Sequence, residues 1–241
     1  MNDGGQQVQP FQHNNYYTSS VWPELYIYKK GDHLLIPFPF LLETISSAVH
    51  RGGFGQASHF INWQVPLDYS AVDPIGHMGQ QVEEWGYNPE EAVALQTAAR
   101  IDLASVQEES GDGFRMVCCV TAGIGNRARA GKRRRTFPAY QCGTINTFLF
   151  IDSCLTPSAM VNAIITATEA KAAALQDLHV RDESGEFATG TTTDAVVIAV
   201  SQNRQEYPVH QFAGTATTIG NAIGRLVYDA LYETVHNLGR G

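Results

Sequence analysis

Three charged side chains stand where charge is unexpected. Glu169 and Lys171 interrupt "TATEAKAAAL" (Thr166 to Leu175), a run of alanine and threonine. Asp194 closes "ATGTTTD" (Ala188 to Asp194) and leads directly into the apolar run "AVVIAV". Two carboxylates and an amine are the groups that general acid–base chemistry and oxyanion stabilisation require. Glu169 and Lys171 lie two apart, so on a helix they point to roughly opposite sides and do not pair. At helical spacing Met160, Val161, Ile164, Ile165, Leu175 and Leu178 form one apolar stripe, with Lys171 inside it and Glu169 on its flank. A lysine in such a stripe must snorkel to the edge of the layer, meet a buried partner or lower its pKa. Glu169 and Asp194 could supply general acid and base if folding brings them together.

Neutral hydrogen-bonding residues cluster in four turns beside apolar strands. These are "TAGIGN" (Thr121 to Asn126), "GTINT" (Gly143 to Thr147), "ATGTTTD" and "AGTATTIGN" (Ala213 to Asn221). Glycine permits close backbone approach, and Thr and Asn supply uncharged donors and acceptors. Such turns suit a large ligand rich in amides and hydroxyls. The candidate contacts are Thr121, Asn126, Thr144, Thr191, Thr193 and Thr215 from the turns, together with Thr168 and Asn62. Other chemistries are excluded by spacing. "GNRARAGK" sets Gly125 and Gly131-Lys132 one residue too far apart for a phosphate-binding loop, and Arg133 replaces the magnesium-holding hydroxyl. No G-x-S-x-G elbow and no H-E-x-x-H occurs, and the eight histidines lack ligand spacing. No metal site is expected. Gly143-Thr144 resembles the cleavage point of self-processing hydrolases, in which a freed N-terminal threonine becomes the nucleophile.

The elements that position these groups can be read from the rest of the chain. With 241 residues, 44% of them hydrophobic, the chain is long enough for a sizeable core. A net charge of -8 argues against general nucleic-acid binding. One basic run, "RARAGKRRR" (Arg127 to Arg135), goes against this balance and is either a solvated loop or a phosphate contact. The four cysteines, Cys118, Cys119, Cys142 and Cys154, form no C-x-x-C pair. They read as reduced, buried thiols, with Cys118 and Cys119 on opposite faces of a strand. No run approaches a membrane span. The expectation is a cytoplasmic protein without membrane or nucleic-acid partners.

Residues 1–20 read as a flexible polar tail and 21–241 as a single domain. "ELYIYKKGDHLLIPF" reads as a hairpin, and strands are expected over about Ala57 to Val65, in "RIDLASVQEE" and "FRMVCCVTAG", in "GTINTFLFID" and in "AVVIAV". Helices are expected in "DPIGHMGQQVEEWG", after Asn88-Pro89 through "EEAVALQTAA", from Thr156-Pro157 to about Leu178, and through "TTIGNAIGRLVYDALYETVHNLG" up to Gly239. The fold class is α+β, with a predominantly antiparallel sheet structure covered by long helices. The two longest helices should each cover one face, in a four-layer α/β/β/α arrangement.

"TAGIGNRARAG", "GTINT", "LTPSAMVNAIITATEAKAAAL" and "ATGTTTDAVVIA", in that order, resemble the CbiZ-type adenosylcobinamide amidohydrolases. "ISSAVHRGGFGQASHFINWQVP" and "ALQTAARIDLASV" are similar to that family too, so the resemblance spans roughly Leu35 to Leu238. It implies hydrolysis of the amide joining an aminopropanol arm to the corrin ring, giving adenosylcobyric acid in corrinoid salvage, and in some members action on pseudocobalamin. The adenosylated corrinoid is then the substrate, and no separate cofactor is expected. On this reading Glu169 would be the base on water, Lys171 or Asn146 would stabilise the oxyanion, and Asp194 would orient or protonate. The alternatives are a non-catalytic corrinoid-binding module, or a self-processing amidase that uses Thr144. The basic run "KRRRTFPAYQC" is more basic than the family pattern and would be placed to reach a phosphate-bearing substrate.

Overall fold

The computed structural model describes residues 9–133 and 143–238. Strands β1 (Tyr16–Thr18), β2 (Tyr26–Lys30), β3 (His33–Ser46) and β4 (Gly53–Gln64) come first, followed by helix α1 (Pro74–Glu84) and β5 (Ala92–Thr97). Next come β6 (Ser105–Gly111), β7 (Phe114–Ala122), the short β8 (Arg127–Ala128), β9 (Ile145–Asp152) and β10 (Cys154–Leu155). Helix α2 (Pro157–Asp177), β11 (Gly190–Thr191), β12 (Ala195–Val200), β13 (Val209–His210) and α3 (Thr218–Asn237) are the last of the described elements. Among the described residues, nine strands form one mixed sheet in the order β1-β2-β3-β12-β9-β7-β6, with β4 and β5 branching from β3. Its pairings are antiparallel except β4 with β5 and β9 with β12.

Alternation along the strands sorts the side chains into separate cores. Cys118, Leu149 and Ile198 face α2 and α3, while Cys119, Phe150 and Val197 face an interior shared with Ile36, Phe60 and Leu95. A third cluster joins Ile61, Ala92 and Ala94 to Met78 and Val82 of α1. The four expected layers are therefore present, but both sheet layers are halves of one curled sheet. The helix placement differs from expectation. Both long helices pack on the same face, against each other, and the short α1 covers the other. Cys118, Cys119 and Cys154 are buried free thiols; burial pushes the Cys119 thiol up to about 12. Cys142 lies outside the described residues.

Two sequence expectations are corrected. Residues 9–20 belong to the fold rather than to a tail, since Phe11 is fully buried and β1 pairs with β2. Residues 1–8 lie outside the described residues. After Asn88-Pro89 the chain makes one 3₁₀ turn, Pro89–Glu91, and then becomes β5 instead of a helix. Asn88 does cap that turn, accepting from the Glu90 amide. However, Ala92–Leu95 are buried on both faces beside β4, where only a strand satisfies their backbone groups. The remaining helices follow their caps. The side-chain oxygens of Asp73, Thr156 and Thr217 accept from the amides of Gly76, Ala159 and Gly220. Gly239, the expected stop of α3, is not among the described residues. No helix among the described residues is long and apolar enough to cross a membrane.

The α1 layer holds a buried histidine. His33 stacks on Trp85 with ring centroids 3.9 Å apart. Its nitrogens meet Asp32 Oδ1 at 3.1 Å and Tyr87 Oη at 3.0 Å. Burial outweighs the Asp32 carboxylate and lowers the His33 pKa from 6.5. The folded state thus binds this proton more weakly than the unfolded chain. The stabilisation is complete above pH 6.5 and is lost as the pH falls through that value towards the folded pKa. The urea midpoint is expected to drop between pH 7 and pH 5, with His33→Gln flattening that slope. An equal slope in the variant would assign the loss to other groups.

Candidate functional site

The parallel pairing of β9 with β12 sets Asn146 opposite Ala195. Both strands therefore begin at the same sheet edge, and the turns that precede them meet there. Helix α2 crosses above on a face of small residues, with Ala159, Ala163, Thr166, Ala167 and Ala174 buried. The predicted stripe is met in part: Met160 and Leu175 are buried, and Ile164 and Leu178 pack against the core. Val161 and Ile165 are instead 42% and 48% exposed, because the alanines bring the backbone down to the sheet and turn these two residues outward.

Lys171 on α2 meets Asp194 at the start of β12, with Nζ 2.5 Å from Oδ2. Both side chains are about 15% exposed. Asp194 also accepts from the Thr191 hydroxyl at 2.5 Å, from the Thr191 amide at 3.0 Å, and from the Ile145 amide at 3.2 Å. A single carboxylate thus ties α2, the 190–194 turn and the start of β9 together. Gly190 fits against the pair, since a Cβ there would lie 2.2 Å from Asp194 Oδ2 and 2.8 Å from Lys171 Nζ. Beside the pair is a cavity of about 300 Å³, with Ser47, Thr147, Thr168, Lys171, Asp194 and Val196 in its wall. An ammonium has three N–H donors. Asp194 takes one, and no other described protein acceptor is bonded to Lys171.

A second cluster adjoins the first. Thr144 Oγ1 is 2.5 Å from Thr193 Oγ1, and the Thr193 hydroxyl donates to the Gly143 carbonyl at 2.9 Å. The "TAGIGN" turn clamps Gly143, where a Cβ would fall 2.4 Å from Asn126 Oδ1 and 2.8 Å from the Gly125 nitrogen. Asn126 donates to Thr192 Oγ1 at 2.7 Å. Three of the four predicted turns therefore converge.

The other candidates lie apart from this cluster. Asn146, Asn62 and Thr121 form a fully buried trio on the interior face, because alternation points Thr147 towards α2 and Asn146 away from it. Asn62 Nδ2 donates to Thr121 at 2.8 Å, and Asn146 Nδ2 donates to Asn62 Oδ1 at 2.8 Å. Asn146 is thus not presented to the cavity as an oxyanion donor. Glu169 is exposed and carries no hydrogen bond or ion pair among the described residues, so folding does not unite it with Asp194. Thr215 is exposed, and its turn serves α3: Thr166 donates to the Ala213 carbonyl and Thr217 caps the helix. In the basic run, β8 pairs with β11, Arg129 donates to the Phe187 carbonyl, and Lys132 meets Glu186 at 3.4 Å. Arg134 and Arg135 lie outside the described residues. Ser47 and Thr147 escaped the sequence reading. The period of two that begins at Asn146 was the signal available for Thr147.

Among the described residues no group of three His, Cys, Asp or Glu side chains could hold a metal. The cluster offers a cation fixed by a carboxylate, a row of hydroxyls and an adjacent cavity. That set can stabilise developing negative charge on an amide oxygen.

Comparison with known proteins gives the following. Residues 19–240 match the family model CbiZ, described as adenosylcobinamide amidohydrolase. An adenosylcobinamide amidohydrolase of Methanosarcina mazei is 30% identical over 211 residues, covering 82% of this chain and 91% of its own. An uncharacterized protein of Methanocaldococcus jannaschii is 27% identical over 223 residues, covering 84% and 85%. Among solved structures, a Burkholderia sp. beta-aminopeptidase aligns with a TM-score of 0.44 at 10% identity, covering 86% of this chain and 78% of that one.

Proposed function

The chain belongs to the CbiZ family, the adenosylcobinamide amidohydrolases, and from that premise we propose that it cuts the amide between the aminopropanol arm and the corrin ring. The products are adenosylcobyric acid and aminopropanol, or the phosphate of aminopropanol, as a corrinoid salvage step in the cytoplasm. Pseudocobalamin is a further candidate substrate. No cofactor beyond the corrinoid substrate is invoked.

The observation that carries this reading is the Lys171–Asp194 pair in the wall of a cavity of about 300 Å³. That volume is at the small end for ligand pockets. It suits the arm and its amide, while the ring stays at the mouth. The exposed Val161 and Ile165, one turn apart on α2 next to the cavity-lining Ile164 and Thr168, offer an apolar rest for the ring face. Lys171 then points its remaining donors at the amide oxygen, and its charge counts for more as that oxygen becomes an oxyanion. Asp194 already takes bonds from Lys171, Thr191 and Ile145, so its role is to orient the amine. Thr147, Thr168 and Ser47 line the cavity with hydroxyls for the polar groups of the arm.

The test is to incubate the purified protein with adenosylcobinamide and follow products by mass. Adenosylcobyric acid and free aminopropanol are expected in equal amounts. Tight binding of the corrinoid without either product would instead make the chain a corrinoid-binding module.

A further inference from the structure

We propose that the chain cleaves its own Gly143–Thr144 peptide bond, freeing Thr144 as an N-terminal residue. This does not rest on the function proposed above.

The hydrogen bonds around the bond supply the proton relay that an N-to-O acyl shift needs. The Thr144 hydroxyl is 2.5 Å from Thr193 Oγ1, and the Thr193 hydroxyl donates to the Gly143 carbonyl oxygen at 2.9 Å. Each hydroxyl has one proton. Since the Thr193 proton goes to the carbonyl, the Thr144 proton goes to Thr193. The nearby Thr191 hydroxyl is committed to Asp194 at 2.5 Å and contributes little to the carbonyl, 3.4 Å away. A two-step relay thus joins the attacking oxygen to the oxygen that must gain a proton.

The residues on both sides of the bond are held. Gly143 has no room for a Cβ against Asn126 Oδ1 and the Gly123 and Gly125 backbone. The Gly123 amide donates to the Thr144 carbonyl at 2.9 Å, and the Ile145 amide donates to Asp194 at 3.2 Å. Asn126 Oδ1, which lies against Gly143, is itself a buried acceptor without a hydrogen-bond partner among the described residues. A buried orphan of this kind calls for an explanation. A newly formed amine beside it would supply the missing donor.

The step balances. Thr144 Oγ1 bonds to the Gly143 carbonyl carbon, its proton passes to Thr193, and the Thr193 proton passes to the carbonyl oxygen. The resulting tetrahedral centre collapses with cleavage of the C–N bond. The Thr144 nitrogen takes up the proton, leaving an ester on Oγ1. Water hydrolyses the ester to a Gly143 carboxylate and a free Thr144 that carries both amine and hydroxyl. An N-terminal amine is a recognised base for its own threonine hydroxyl.

The experiment is denaturing mass spectrometry and N-terminal sequencing of the purified full-length protein. Two fragments are expected, one beginning Thr144-Ile145-Asn146, with masses that sum to the 26.4 kDa chain plus one water. Thr144→Ala should give one intact, folded chain, and Thr144→Ser should cleave. Thr193→Val should slow cleavage about 10²-fold, the scale of a lost proton-transfer group, and Thr193→Ser should restore it. A single 26.4 kDa chain in the wild type, active or not, overturns the proposal. So does cleavage that persists in Thr144→Ala, which would point to an external protease. Fragments without turnover of adenosylcobinamide would leave the self-cleavage standing and overturn only the substrate reading.

Discussion

Lys171→Met is expected to lower kcat for adenosylcobinamide about 10²–10³-fold, the loss seen when one oxyanion donor is removed, with KM little changed. An interaction that strengthens only as charge develops affects turnover more than binding. Methionine keeps the length of the stem, and Asp194 retains the Thr191 and Ile145 donors. The fold should therefore lose less than the ~3–5 kcal/mol that follows from orphaning a fully buried charge. Urea denaturation beside steady-state kinetics separates the two effects. Glu169→Gln is the control. As an exposed residue with no described partner, it should stay within about twofold of wild type. Normal turnover in Lys171→Met would remove the lysine from the chemistry, and a large loss in Glu169→Gln would return Glu169 to it.

Gly190→Ala should cost about 1–3 kcal/mol of stability, as overpacking does, and about 10²-fold in kcat, as a misplacement near 1 Å does. The added methyl would land 2.2 Å from an Asp194 oxygen that is pinned by Lys171, Thr191 and Ile145. None of those contacts can yield alone, so the group must move together. Adding a methyl at Gly31, which has nothing within 4 Å among the described residues, gives no such steric clash. There the cost is that of its positive φ alone, with activity retained. Unchanged turnover in Gly190→Ala would show that the pair tolerates displacement.

What the sequence made legible follows from how local each signal is. Caps at Asp73, Thr156 and Thr217 and the turn at Gly31 depend on neighbours a few residues away, and the elements they bound were readable. β5 was not, because Ala92–Thr97 is a helix former by composition and a strand only because β4 lies beside it. The site divided in the same way. Lys171 and Asp194 were noticed for standing in apolar surroundings, the trace that a buried partner leaves in a sequence. Their mutual contact depends on the parallel register of β9 and β12 and on α2 lying above it, a long-range fact. Asn146 was misplaced towards the cavity because a turn motif does not reveal which face its residues will take once a strand begins.

The order of strands across the sheet has a mechanical consequence. Read from β3, it runs β12, β9, β7, so two strands from beyond residue 143 are inserted between two from before it. The halves on either side of Gly143–Thr144 are interleaved like the fingers of clasped hands. A break at that bond opens no seam, since parting the pieces would mean tearing both the β3–β12 and β7–β9 ladders and lifting α2 and α3 from a shared core. A molecule nicked there would travel as one particle through native chromatography and separate only in denaturant. The bond could be spent in a chemical step without loosening the structure that surrounds it.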